Sequence, residues 1–364
     1  MDKGREYQVL GLMSGSSLDG LDIAWCKIRT GSTFQAEIIA AKTFPYTRED
    51  IAFLQQVSKD VSVDTSAESV HFAEISSRFV LDFIAENHIE QLDCIASHGH
   101  TIWHHPELGK TLQIGDGQTL ANAIGFPVIN NFRQADIDAG GQGAPLVPMC
   151  DVLLFSAYDA CLNIGGIANI SFEVGGKRVG YDICGANQLL NACAALTGNT
   201  YDHNGEIARS GRVKKDLFEK LNADPFLQKP YPRSLDNGYV DAHFTQLLLR
   251  SEGSAEDKMA TAVEHITTQI SDHVKRHAQI EGKEIFSYTL FITGGGAYNN
   301  YLVYRIAKLC GVGVIPTNRY MIEFKESLAM ACMAVLRMEK KPNFIPSVTG
   351  ARFAACGGEI HYPD

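Results

Sequence analysis

The sequence predicts an α/β protein of two similar domains, each a mixed β-sheet flanked by helices. Three observations predict it. Three strand-like runs near the N-terminus precede a long amphipathic helix and then a buried strand, an order that belongs to a mixed sheet rather than a purely parallel one. A similar start recurs near residue 160. Glycine clusters stand directly after predicted strands, at 11–20, 140–143, 165–166 and 294–296.

In the first half, residues 6–14 (EYQVLGLMS) read as a buried strand. Gly15–Gly20 is a turn rich in Gly, Ser and Asp, and Leu21–Ile28 alternates like a second strand. A third strand is expected over Phe34–Phe44 and a helix over Ala67–Asn87. Cys94–Ser97 is a short apolar strand running into His98-Gly99-His100. In the second half, strands are expected at Ala160–Ile164, Ala168–Val174 and Lys177–Ile183, with glycine pairs at their turns. Helical patterns follow at Asn187–Thr197, Lys214–Leu221 and Asp257–Ile280, then a buried strand at Tyr288–Thr293, a glycine triplet and a helix from Asn299 to Leu309. The expected lobes are 1–150 and 151–344, with 345–364 packing on the first.

Glycine at a strand end lets backbone N–H groups approach a ligand with no side chain between them, and such turns suit phosphate oxygens. Each cluster taken alone reads first as a tight turn or hairpin; four of them with Ser, Asp, Asn or Gln alongside point to a ligand. The chain has no GxxxxGK[ST], and no GxGxxG opens a strand–helix unit. A P-loop NTPase and a simple Rossmann dehydrogenase are therefore disfavoured.

Of the 364 residues, 45% are hydrophobic and 20% charged, enough apolar material for a large core. The net charge of −10 argues against nucleic acid or an acidic membrane surface as partner. No apolar run approaches a membrane span; the longest candidate, Leu328–Leu336, suits a buried helix. The N-terminal MDKGREYQVL lacks the apolar stretch of a secretory leader. Nine scattered cysteines, odd in number and without CxxC, suit reduced thiols, so a cytoplasmic location is expected.

Eight segments, in order, resemble the motifs of the anhydro-N-acetylmuramic acid kinase family: MSGSSLDGLD (13–22), SHGHTIWH (97–104), QIGDG (113–117), NFRQADIDAGGQGAPLVP (131–148), NIGGIANIS (163–171), YDICGANQLL (181–190), GGGAYNN (294–300) and PSVTGA (346–351). The resemblance spans nearly the whole chain. It implies two ribonuclease-H-like domains of the actin-like ATPase type with a central nucleotide cleft. It also implies ATP and Mg²⁺ as cofactors, a small-molecule sugar substrate and a homodimer. The reaction it implies is the hydrolytic opening of 1,6-anhydro-N-acetylmuramic acid with phosphorylation at O6, giving N-acetylmuramic acid 6-phosphate in cell-wall recycling.

The same resemblance distributes roles. Asp182, after the run VGYD, stands where the family has its catalytic aspartate; the alternative is an N-cap for the helix at Asn187. Gly15, Ser16, Ser17, Asp19 and Gly20 would wrap the β- and γ-phosphates, with Asp19 the candidate for Mg²⁺ through waters or else a residue satisfying its own turn. Asn163, Gly165, Gly166 and Asn169 would form a second phosphate loop, and Gly294, Gly295, Gly296 and Asn299 would hold the adenosine end. Arg133 suits the substrate carboxylate, or pairs structurally with Asp136 or Asp138. His98, Asp116, Gln142 and Glu326 match family positions near the sugar, Glu326 being otherwise a charge at a helix start. His98, His100, His104 and His105 have no cysteine nearby and do not read as a zinc site. His273 and His277 are expected on an exposed helix face.

The chain also departs from the family. His100 replaces Gln and Asn131 replaces Asp. Ile183-Cys184-Gly185-Ala186-Asn187 replaces Thr-Gly-Pro-Gly-Asn, and Arg233-Ser234-Leu235-Asp236-Asn237-Gly238 replaces Lys-Ser-Thr-Gly-Arg-Glu. These changes cluster in motifs assigned to the sugar and the water. Two other readings follow from them: a paralogue phosphorylating another anhydro- or amino-sugar, or a nucleotide-binding protein with little kinase activity.

Overall fold

The structure, a computed structural model, describes residues 4–15, 17–59, 64–105, 110–231, 233–315 and 317–364, with backbone only at 105 and 110. Contacts divide the chain into two units, Met1–Leu154 with Phe324–Asp364, and Phe155–Glu323. The expected boundaries fell at 150 and 344. The division instead assigns residues 324–344 to the first unit.

In the first unit, β1 (Glu6–Ser14), β2 (Gly20–Arg29) and β3 (Gln35–Pro45) form an antiparallel meander, and β4 (Cys94–His105) and β6 (Val128–Asn130) continue the sheet in parallel on the far side of β1. β5 (Lys110–Ile114) pairs with the end of β4. The expected strand ended at Ser97; pairing with β5 extends β4 through His105. Helix α1 (Arg48–Val57) opens with a capping box between Thr47 and Asp50, and α2 (Ser66–Glu86) lays Phe72, Ile75, Val80 and Phe83 into the core with Leu10, Leu12, Ile23 and Ile95. After α3 (Gly117–Ile124), α4 (Gln134–Asp138) and α5 (Pro148–Leu154), the chain enters the second unit.

There the same order repeats. β7 (Ala160–Ile164), β8 (Ile167–Val174) and β9 (Lys177–Gly185) form a meander, and β10 (Thr289–Thr293) and β11 (Gly313–Ile315) add parallel strands beside β7. The first sheet runs β3-β2-β1-β4-β6 and the second β9-β8-β7-β10-β11, the same ribonuclease-H-like order of three meandering strands and two parallel ones. The helices are α6 (Asn187–Ala195), α7 (Glu206–Ser210), α8 (Lys215–Asn222), α9 (Asn237–Val240), α10 (Gln246–Arg250), α11 (Ala255–Ile280) and α12 (Asn300–Cys310). The core of this unit joins Leu162, Ile164 and Ile183 to Leu189, Phe244, Ile266 and Ile270.

Helix α13 (Arg319–Met338) loses helical geometry at Phe324, where the unit division falls. Beyond it, Leu328–Leu336 is buried, and the helix lies so close to β1 that a Cβ on Gly11 would stand 1.9 Å from the Ser327 carbonyl oxygen. Glycine is required there by backbone approach rather than by conformation. Lys325 pairs with Asp151 at 2.6 Å, both buried. After α14 (Pro346–Thr349), β12 (Glu359–His361) joins the sheet beside β6.

Candidate functional site

In the first unit, the β1–β2 turn carries Gly15, Ser17, Asp19 and Gly20; Ser16 lies outside the described residues. Leu18 takes the left-handed conformation (φ 57°), Leu18 N donates to Gly15 O, and the Ser17 hydroxyl donates to Asp19 Oδ1 at 2.5 Å. Asp19 is exposed. Gly20 begins β2, where a Cβ would meet the Phe44 carbonyl oxygen at 2.3 Å. Directly beneath the turn, Ser14 Oγ bonds Tyr46 Oη at 2.6 Å and His100 Nδ1 at 2.8 Å, all three buried. Burial pushes the His100 imidazole down to about 4.

His98, on β4, is buried, and its Nε2 lies 2.9 and 3.1 Å from Nη2 and Nε of Arg133. Arginine can only donate, so Nε2 is the acceptor and Nδ1 carries the proton, donating to Gly99 O at 3.1 Å. Burial first, and then the neighbouring guanidinium, push His98 down to about 3, so it is neutral. Arg133 does not pair with Asp136 or Asp138. The Asp136 carboxylate instead accepts from Gly143 N at 2.7 Å and Thr349 Oγ1 at 2.5 Å, and Gln134 takes Asp138. Arg133 is half-buried and stays a cation, its pKa lowered to about 10 by burial against the opposing charge of Glu326. Glu326 sits two residues beyond the break at Phe324, in the first turn of the helical run that follows, as expected. Its surface is accessible, yet surrounding protein raises its carboxyl above the ordinary range, with Lys325 and Arg133 opposing.

Asp116 caps α3, accepting from Thr119 N at 2.7 Å. Gln142 is exposed on the loop after α4, its backbone N donating to Thr349 O at 2.9 Å. The Asp136–Thr349 bond ties the NFRQAD and PSVTGA segments together, although they are some two hundred positions apart in sequence. His98, His100 and His104 turn to Arg133, Ser14 and Thr111 respectively, so they do not converge on one point.

In the second unit, the β7–β8 turn and the loop after β10 come together. A Cβ on Gly294 (φ 80°) would stand 2.6 Å from Asn163 Oδ1, and one on Gly296 would stand 2.3 Å from Ile164 Cγ2. Asn187 Nδ2 donates to Ile164 O, while Ala186 N and Asn187 N donate to Gly166 O and Gly165 O. Asn163, Gly165, Gly166, Gly294, Gly295 and Gly296 therefore form one glycine-lined surface. Asn299 is buried and caps α12, accepting from Leu302 N at 3.0 Å.

Asp182 lies inside β9, opposite Asn169 on β8, and is not an N-cap. The register shifts between Ala168 and Asn169, which leaves Ile183 bulged beside it; bulges re-aim neighbouring side chains. The half-buried Asp182 carboxylate accepts from Leu235 N at 2.8 Å. Burial raises it to about 6, against the pull of Leu235 N and of the Arg233 charge.

Sequence reasoning missed the group behind Asp182. Arg233 is 8% exposed and donates to His273 Nε2 at 2.8 Å, and His273 Nδ1 lies 3.0 Å from Tyr181 Oη. His273 and His277 are buried, not solvated as expected. His277 lies 2.7 Å from Glu173 O through Nε2 and also bonds the Tyr288 hydroxyl. Helical phase held the signal, for both share the buried stripe of α11 with Ile266, Ile270 and Val274.

Several departures also find their places. Ile183 and Cys184 are buried in the second core, where Gly185 leaves room for Leu189 and Val240. His100 is buried under the β1–β2 turn, and Asn131 takes a left-handed conformation and donates to Glu359. Their side chains are committed to the fold.

A model of the anhydro-N-acetylmuramic acid kinase family matches residues 7–363. The anhydro-N-acetylmuramic acid kinase of Gloeobacter violaceus is 33% identical, over 97% of this chain and 98% of that protein. That of Bacillus thuringiensis subsp. konkukian is 32% identical, over 98% and 99%. Among solved structures, the activator of the 2-hydroxyisocaproyl-CoA dehydratase from Clostridium difficile, with bound ADPNP, covers 93% of this chain and 99% of its own at a TM-score of 0.43 and 12% identity, too slight a likeness to add to the strand order. The match along almost the whole length, at this identity, shows that the chain belongs to the anhydro-N-acetylmuramic acid kinase family.

Proposed function

We propose that the chain is an ATP-dependent phosphotransferase that converts 1,6-anhydro-N-acetylmuramic acid to N-acetylmuramic acid 6-phosphate. The family match over residues 7–363 carries this reading. Ile183, Cys184, His100 and Asn131 are engaged in contacts within the fold, which supports this reading over a changed sugar.

The chemistry needs a base for water, a cradle for phosphates and a clamp for the lactyl carboxylate. Asp182 is the base. With a pKa of about 6 it is mostly ionised at neutral pH and basic enough to take a proton from water. Water forms a bond to the anomeric carbon as the C1–O6 bond breaks. O6 bonds the γ-phosphorus as the bridging bond to ADP breaks, and the water's proton resides on Asp182. Arg133, steadied by His98, offers its remaining N–H groups to the carboxylate. In the second unit the glycine surface of Gly165, Gly166 and Gly294–Gly296 suits phosphate oxygens, and in the first unit Gly15, Ser17 and Gly20 keep the phosphate role that the family resemblance gives them.

Asp19 suits Mg²⁺. It is an exposed hard-oxygen donor with one hydroxyl on it, and among the described residues no group of three or more His, Cys, Asp or Glu forms a protein-only cage. Mg²⁺ commonly binds through one carboxylate, phosphates and waters, and when bound would neutralise charge on the phosphates. Nine free cysteines support a cytoplasmic setting. Among the described residues no helix is long and apolar enough to cross a membrane. A homodimer rests on the family resemblance alone.

Incubation with ATP, Mg²⁺ and 1,6-anhydro-N-acetylmuramic acid in ¹⁸O-water tests the reaction. The expected product gains one phosphoryl group and one water, with the label on the anomeric carbon. Label on phosphate, or no phosphorylated sugar, overturns it.

A further inference from the structure

The segment after β9 departs from its family at the position of a lysine, and Arg233 stands there. Its guanidinium is almost wholly committed to backbone. Nε donates to Asp182 O at 2.9 Å. Nη2 donates to Ile183 O at 3.1 Å, and Nη1 reaches Phe226 O, Leu227 O and Lys229 O at 3.0 to 3.3 Å. The remaining Nη2 proton goes to His273 Nε2. Arg233 O in turn accepts from Asp182 N at 3.2 Å, and two residues on, Leu235 N donates to the Asp182 carboxylate.

Residues 233–235 therefore grip Asp182 by its N–H, its carbonyl and its side chain. The bulge supplies the reason. At a bulge the extra residue falls out of the ladder, and its carbonyl must find another donor. Here the bulged residue is Ile183, and Arg233 is that donor. His273 completes the arrangement: because arginine only donates, Nε2 accepts, the ring is neutral, and its Nδ1–H donates to Tyr181 Oη. The rings of Tyr181 and Phe226 lie 5.6 and 4.9 Å from the guanidinium carbon.

We infer that Arg233, held by His273, is a positioning residue that fixes the β9 bulge and thereby aims the carboxylate of Asp182. The inference rests on Asp182 being the base. A lysine could not do this alone, since it has three N–H bonds from one point and no planar fork. The charged and titratable groups around Arg233 are Tyr181, Asp182 and Cys184 on β9 and, on α11, His273 and Arg276.

Arg233→Met, Arg233→Lys and Asp182→Asn test it, with kcat, the KM for ATP, the acid limb of the pH profile and ATP affinity by calorimetry as readouts. Arg233→Met is expected to lower kcat by roughly 10²-fold, the scale of a small misplacement of a reacting group, with the KM for ATP little changed. It also removes a charge that favours ionised Asp182, so the acid limb moves to higher pH. Arg233→Lys keeps the charge and so the limb, yet still loses turnover. Should Arg233→Met fail to fold, His273→Leu, which frees one Nη2 proton, is expected to lower kcat about tenfold by loosening the same geometry. An Arg233→Met protein that binds ATP with unchanged kcat and limb, while Asp182→Asn is inert, overturns the inference alone. A fully active Asp182→Asn overturns the base and the inference with it.

Discussion

Each unit sets an arginine against the Nε2 of a neutral buried histidine, yet the two pairs are built for different ends. Arg133 gives two N–H bonds to His98 and retains the others, with the opposing charge of Glu326 nearby. Arg233 gives one N–H to His273 and the rest to five carbonyl oxygens around Asp182. The histidine does the same work in both, since a lone pair orients a guanidinium without neutralising it, as a carboxylate would. What the arginine does with its other donors decides the role. Uncommitted donors can take a ligand's carboxylate, and committed ones stiffen backbone.

The comparison predicts where each perturbation registers kinetically. The largest effect belongs to the carboxylate that Arg233 frames. Asp182→Asn should lower kcat by roughly 10³-fold, within the range for a lost general base, with the KM for ATP nearly unchanged. The wild type should lose turnover as pH falls through about 6, because protonated Asp182 cannot accept a proton. Steady-state kinetics across pH measure both, and full activity well below that point would remove the base. Next comes Arg133→Gln, which removes a charged clamp while leaving an amide. The KM for the sugar should rise about 10²-fold, in line with charge-assisted bonds of about 2–3 kcal/mol, and kcat should fall far less. A loss confined to kcat would show that Arg133 acts like Arg233.

The two sheets were legible because three meandering strands, a helix and a buried strand recur with clear apolar patterning. The pairing of the two Arg–His sets was not. Arg133 was visible as a residue, but its natural partners in sequence were Asp136 and Asp138, and only folding shows Asp136 held by Thr349 from the far end of the chain. His98 was visible, but the strand beyond it was not, because the run His98–His105 has no apolar alternation of its own and is held as strand by pairing with β5. Arg233 stood in plain view as a departure, and its meaning lay in a bulge that no periodicity encodes. His273 and His277 keep phase with Ile266, Ile270 and Val274, so helical spacing alone already puts both on the buried face. Residues that act through backbone carbonyls leave little trace in composition.

The smallest expected effect concerns what the pairs share. His98 and His273 are each pushed from an ordinary 6.5 to about 3, burial being the larger cause and the adjacent arginine the next. A group depressed in the folded state contributes stability that is present above its unfolded value and lost as pH falls toward the folded one. The unfolded chain takes up a proton below 6.5 that the fold refuses until about 3. For one such histidine, the loss between about pH 7.5 and about pH 5 is about 2 kcal/mol. Glutamine at either position presents an oxygen to the arginine and does not titrate, so His98→Gln and His273→Gln should each flatten the acid loss by about that amount in denaturant unfolding. His100 and His265, each pushed down to about 4, keep a residual slope in both variants. If the acid loss of either variant matches wild type, that imidazole is not the neutral acceptor in the fold, and the likeness between the two pairs ends there.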